Sequence, residues 1–277
     1  MLMKTIKTTG AVWAQSLGAV ARSPLYVLAL GAIAGLWGLA AYEWLWLPES
    51  SLWVLGLTVV WLLAMLLVAL SMLAGSAVSA STAASGADPH LRLRKLLTFE
   101  KGRLGRTLLV VLAGTLLYLV LAAVFGWLDG HTLNVASFLT FHLQHPVSAV
   151  LITGFLWLIE AIIWILYGGF VITWLLEYSN TPRLGTPRAA RQTLARSVSL
   201  SVFLTSLLSV VVFGGLVWEL ATWHPVVKPG GWDYTQFVIR NAAALLLIIV
   251  GWLFLVVTLA QLRTPPVTAP AEPPPAG

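Results

Sequence analysis

Six apolar runs, at residues 25–47, 52–78, 107–128, 147–176, 198–220 and 237–262, dominate the sequence. Each exceeds the roughly 20 residues that an α-helix needs to cross about 30 Å of hydrocarbon. They are too long and too uniformly apolar for β-barrel strands, which run about ten residues with alternating polarity. The chain is 59% hydrophobic and only 9% charged, so it cannot cover a water-facing surface. The fold class this dictates is all-α: a polytopic integral membrane protein of about six transmembrane helices, filling residues 1–262 as one domain. The remaining 263–277 stretch, RTPPVTAPAEPPPAG, is rich in Pro and Ala and predicts a disordered or polyproline tail. No length of chain is left for a soluble catalytic domain.

Charge sets the expected orientation. Lys4, Lys7 and Arg22 precede the first run. Arg92, Arg94, Lys95, Lys101, Arg103 and Arg106 lie between the second and third, Arg183, Arg188, Arg191 and Arg196 follow the fourth, and Arg263 follows the sixth. Only Lys228 and Arg240 fall on the other side. Such asymmetry in short loops predicts a multi-pass protein of the cell inner (plasma) membrane with both termini in the cytoplasm. The net charge of +6 then calls for anionic lipid headgroups as partners, and nucleic acid is unnecessary as an explanation.

Residues 1–21 read as a retained interfacial helix carrying Val12, Trp13, Leu17 and Val20 toward lipid, because Gln15, Ser16 and two glycines make a poor signal-peptide core. Residues 89–106 predict a second interfacial helix, with Leu93, Leu96, Leu97 and Leu104 on one face and the basic residues elsewhere. Together with Arg188 and Arg191 these form a cytoplasmic basic interface, for lipid or for a docking partner. Ser23-Pro24, Asp88-Pro89 and Thr186-Pro187 mark three basic segments, each leading into a pair of spans. The layout fits either three repeats of one plan or simple alternation of basic and neutral loops.

Glu160 stands near the middle of the fourth run, GFLWLIEAIIWILYGGF. A carboxylate there costs up to about 3.5 kcal/mol, so it should face protein, carry a proton or have a partner. Helical spacing puts Thr153, Trp157, Trp164 and Tyr167 on its stripe, with Tyr118 at similar depth in the third run and Thr205 and Ser206 in the fifth. The group reads as a hydrogen-bonding knot between helices or as a protonation or substrate site in a transporter.

On the opposite rim, His142 and His145 are three residues apart and could ligate a metal from one helix face. Zero cysteines exclude disulfides, thiolate chemistry and Cys-ligated metals. The cofactor is left unknown: no histidine falls mid-span for a haem buried at mid-bilayer, haem or chlorophyll near the outer surface stays open, and Trp44, Trp46, Trp53, Trp127, Trp174, Trp218 and Trp223 fit an interfacial belt. Nucleophile elbows, phosphate loops and dinucleotide fingerprints are missing, which argues against an enzyme. Gly31 and Gly35, four residues apart in the first run, invite close approach of another helix, within the chain or in another subunit.

The segment ending ARSPL before the first run, the small-residue stretch GSAVSASTAASG closing the second, and the basic lead-ins carry a resemblance. In these features the chain resembles uncharacterised bacterial six-span membrane proteins, including the membrane domain fused to some glycerophosphodiester phosphodiesterases. The resemblance implies a six-span fold and assigns no site residues. Two functions fit the sequence. One is a non-catalytic membrane subunit or assembly scaffold that works with other membrane subunits. The other is a permease, since the layout also looks like permease subunits of ATP-driven exporters, with 89–106 docking on a separate cytoplasmic ATPase.

Overall fold

Inside hydrocarbon every backbone N–H and C=O must be satisfied within the chain, so long apolar runs fold as helices. The computed structural model bears this out, describing residues 2–46, 51–86, 90–180, 187–223 and 232–263. The N-terminal α1 (Leu2–Ala21) precedes the first hairpin, α2 (Pro24–Leu45) and α3 (Leu52–Ala84). The second hairpin is α4 (Lys101–Gly130) and α6 (Ala149–Asn180), with the short α5 (Thr132–Leu143) between them. After α7 (Pro187–Ser197), the third hairpin pairs a broken helix with α10 (Trp232–Arg263). The broken helix consists of α8 (Leu200–Ser209) and α9 (Gly215–Thr222), joined by a π-helical turn at Val210–Gly214. Six of these helices are long and apolar enough to cross a membrane, so the chain is an all-α, multi-pass membrane protein.

The three return helices, α3, α6 and α10, have 33, 32 and 32 residues. About 20 would suffice to span; α10 runs beyond its apolar stretch mainly at the far end, from Trp232, whereas α3 and α6 do so at the ends nearest the basic segments. There the packing is tightest: Ala74, Ala77, Ala80, Leu176, Leu253 and Val257 are buried. At the opposite ends Trp53, Leu63, Val150, Phe155 and Ile239 are exposed. The basic ends of the return helices thus build a core, and the outer halves of the spans present apolar side chains outward.

The helices contact one another in a ring of three hairpins. Within each hairpin α2 packs on α3, α4 on α6, and α8 and α9 on α10. Each return helix also packs on the opening helix of the next hairpin, α3 on α4, α6 on α8 and α10 on α2, while α3, α6 and α10 meet one another. The lead-in segments follow the same rule, since α1 lies on α10, the 93–95 turn on α3, and α7 on α6. Before α2 and α8, and within the first two turns of α4, the sequence has an aliphatic residue, a small residue, Arg, and Ser or Thr: Val20-Ala21-Arg22-Ser23, Leu194-Ala195-Arg196-Ser197 and Leu104-Gly105-Arg106-Thr107. Ser23, Thr107 and Ser197 are all buried.

Three expectations are corrected. The second span does not stop at residue 78, because Ser76 and Thr82 hydroxyls bond the carbonyls of Leu73 and Val78 and let small polar residues continue α3 to Ala84. Helix α1 does not turn Trp13 and Val20 wholly to lipid: Val20 is buried, and the Trp13 indole donates to Thr205 Oγ1 at 2.9 Å. Thr9 and Ser16 are also buried, and the hydroxyl of Ser16 donates to Gln261 Oε1 at 2.9 Å, so a hydroxyl-bearing face seats α1 on the bundle while Leu17 stays exposed.

The third correction concerns residues 89–106, which do not form one helix. Only Leu93–Lys95 make a 3-10 turn before α4 begins at Lys101. The segment instead lies along α3 through Gly75, where an added Cβ would come 2.2 Å from the Leu96 carbonyl oxygen. Backbone bonds from Thr98 N to Ser71 O and from Leu91 N to Ser23 Oγ hold it there. A backbone bonded to a neighbouring helix has less need of its own helical turns. The Pro- and Ala-rich tail from 264 onward lies outside the described residues.

Candidate functional site

The apolar composition of α6 makes Glu160 exceptional, and the structure gives it a partner one turn away. Trp164 Nε1 donates to Glu160 Oε1 at 2.9 Å. The same indole ring lies 5.1 Å from Tyr118, 5.6 Å from Tyr167 and 6.2 Å from Phe125, centroid to centroid. The Tyr167 hydroxyl in turn donates to the Gly114 carbonyl of α4 at 3.0 Å. Aromatic pairs at these spacings add about 0.5–1.5 kcal/mol each beyond their buried area. The cluster therefore clasps α4 to α6 and gives the carboxylate a donor.

Of the residues read from the sequence stripe, Glu160, Trp164, Tyr167 and Tyr118 come together. Trp157 does not, because it lies 62% exposed on the outward surface of α6. Thr205 and Ser206 belong elsewhere: Thr205 receives the Trp13 indole, and Ser206 packs over Gly169. Phe125 and Gly114 were not anticipated. The only sequence signal for them is their position on α4, seven residues beyond Tyr118 and four before it.

The basic interface is dispersed. Lys95 Nζ donates to Thr82 Oγ1 of α3 at 3.0 Å, and Arg103 pairs with Glu100 at 3.0 Å. Arg106 is half-buried on α4, whereas Arg92, Arg94, Lys101 and Arg191 are exposed. Arg188 falls on α7 with its side chain outside the described ones. No single helical face collects these charges, so a docking helix at 89–106 is not what the chain builds. Arg263 at the end of α10 makes an ion pair with Glu177 of α6, another contact at the basic end.

His142 and His145 do not share a helix face. Helix α5 ends at Leu143, and Gln144 takes φ of 56°, turning the chain before His145. The His142 ring lies 4.0 Å from Phe138, with Nδ1 3.1 Å from the Phe138 carbonyl oxygen. Among the described residues no group of three His, Cys, Asp or Glu could hold a metal ion.

The small-residue motif finds its partner within the chain. Added Cβ atoms at Gly31 and Gly35 would come 3.2 and 3.3 Å from Leu246 and Leu245 of α10, so the two glycines seat α2 on the last helix. Gly169 plays the same part for α8, where Val202 and Ser206 would stand 2.7 Å from its added Cβ. No family model, curated protein or solved structure matches the chain.

Proposed function

We propose that the chain is a non-catalytic integral membrane subunit or assembly scaffold of a larger membrane complex. It lies in the inner (plasma) membrane with both termini in the cytoplasm, as the concentration of Lys and Arg in the lead-in segments implies. The observation that carries the reading is the fate of the loop after α3. Its backbone is held by Ser71 and Ser23, its carbonyls cover Gly75, and Lys95 is tied to Thr82. A permease driven by a separate ATPase needs a loop helix projecting toward that ATPase. Residues spent on contacts within the chain serve that role poorly, so the permease is the weaker reading.

A second observation agrees. Glu160 is answered by Trp164 on its own helix, and among the described residues no Lys or Arg stands beside it. That suits a structural hydrogen bond better than one station of a proton path, which uses several ionisable groups in series. The exposed apolar outer halves of α4, α5 and α6 leave surface for lipid or neighbouring subunits.

Purification of the tagged full-length chain from its native membrane in mild detergent, with stoichiometry measured by native mass spectrometry, tests the proposal. A fixed ratio to another integral membrane protein is the expected result. A stoichiometric ATPase would transfer support to the permease, and a solitary chain would defeat the subunit reading.

A further inference from the structure

Helix α1 and the basic ends of α3 and α10 line a half-open cavity of about 440 Å³. That volume falls within the usual range for small-molecule sites, about 300–1,000 Å³. Arg22, Gln15 and Gln261 supply its polar walls, and Gly18, Ala83 and two further alanines of α1 supply the rest. Small side chains keep it open: nothing lies within 4 Å of where a Cβ at Gly18 would stand. None of the lining residues is acidic, and the nearby Glu177 is engaged by Arg263.

The backbone that carries the cation is held in place by its neighbours. The Arg22 N–H donates to the Gly18 carbonyl at 3.0 Å, and its own carbonyl lies 3.2 Å from His90 Nδ1. Ser23 Oγ bonds the Ala19 carbonyl and receives Leu91 N, so the corner between α1 and α2 is fixed from both sides. The other two junction arginines are placed differently. Arg106 is half-buried with an enclosed Nε, and Arg196 lies within electrostatic range of Arg263. Among the described residues Arg22 makes no ion pair, and it borders the cavity.

Height and surroundings identify the ligand class. Arg22 stands two residues before Pro24, where α2, the first candidate span, begins, and the topology proposed above sets that position at the level of the headgroups. Leu25 and Leu28, in the first and second turns of α2, are exposed and apolar. A guanidinium favours phosphate oxygens, and exposed apolar side chains at the start of the adjoining helix favour acyl chains. We propose that this cavity binds one anionic phospholipid, its phosphate on Arg22 beside the Gln15 and Gln261 carboxamides and its chains along Leu25 and Leu28.

Native mass spectrometry of the detergent-purified full-length chain, titrated with phosphatidylglycerol or phosphatidylcholine, tests this site. The expected result is retention of one phosphatidylglycerol at concentrations where phosphatidylcholine is lost. Arg22→Gln should weaken it roughly tenfold, the loss of one charge-assisted contact. Gly18→Leu should weaken it similarly by filling the cavity, and Arg94→Gln on the exposed loop should leave it unchanged. Gly18→Leu reads the cavity independently, so the site stays testable if Arg22→Gln fails to fold by size exclusion. Equal losses from Arg22→Gln and Arg94→Gln would reduce the effect to diffuse charge attraction and overturn the site. Competition by glycerol 3-phosphate as strong as that by the lipid would assign the cavity to a soluble phosphate ester and overturn the lipid.

Discussion

Trp164 donates its indole N–H to Glu160 at 2.9 Å, one turn along the same helix, and this bond sets what the carboxylate tolerates. Glu160→Gln keeps an acceptor for the indole, so the melting temperature in detergent should stay close to wild type. Trp164→Phe removes the donor and leaves a polar group in hydrocarbon, at a cost of about 1–3 kcal/mol. If Glu160→Gln proves as damaging as Trp164→Phe, the carboxylate does more than accept this bond.

Gly75 admits the backbone of the loop after α3, with the Lys95 and Leu96 carbonyl oxygens 2.6 and 2.2 Å from where a Cβ would stand. Backbone cannot yield as a flexible side-chain tip can. Gly75→Ala should therefore destabilise by about 1–3 kcal/mol, as overpacking does. It should also speed trypsin cleavage at Arg92, Arg94 and Lys95. Gly10→Ala in α1 meets nothing within 4 Å and should be neutral or stabilise by up to about 1 kcal/mol. Unchanged trypsin cleavage in folded Gly75→Ala would contradict the seating of the loop.

The ion pair between Arg263 and Glu177 joins α10 to α6 close to Arg196. Glu177→Gln leaves two cations near each other without the carboxylate between them. Its cost should shrink when Arg196→Gln is added, giving a coupling of about 0.5–1 kcal/mol in a double-mutant cycle by thermal melts. Strict additivity would mean that Arg196 does not sense the pair.

The absence of cysteine makes orientation directly measurable with single substitutions. Phe141→Cys lies on exposed α5 and Arg94→Cys in the basic loop. A membrane-impermeant maleimide should label Phe141→Cys on intact cells and Arg94→Cys only after permeabilisation. The reverse pattern would invert the proposed topology.

The spans were legible because length and apolarity alone decide them. Lys101 to Arg106 and Ser79 to Ala84 extend helices beyond the apolar runs, and hydropathy does not see such turns. The pairing of Glu160 with Trp164 was also within reach, since four-residue spacing puts two side chains on one face. The docking of residues 90–100 was not. Leu93, Leu96 and Leu104 mimic an amphipathic helix, while the signal for the real arrangement sits some twenty residues earlier, in the glycine of the GSAVSASTAASG stretch. A local pattern cannot report a backbone contact made by a distant helix. His142 and His145 failed for a related reason, because the turn at Gln144 breaks the spacing that would have joined them.

The closure of the ring has a consequence for how the protein is made. Helix α1 leaves the ribosome before the other described helices, yet Ser16 bonds Gln261, 245 residues later. At about 5–20 residues per second, that partner arrives some ten to fifty seconds afterwards. Until then α1 must wait with its seat on α10 and α8 unmade. Its modest apolarity and hydroxyl-bearing face let it linger at the bilayer surface without committing to a span, so its docking has to wait for the helix that closes the ring.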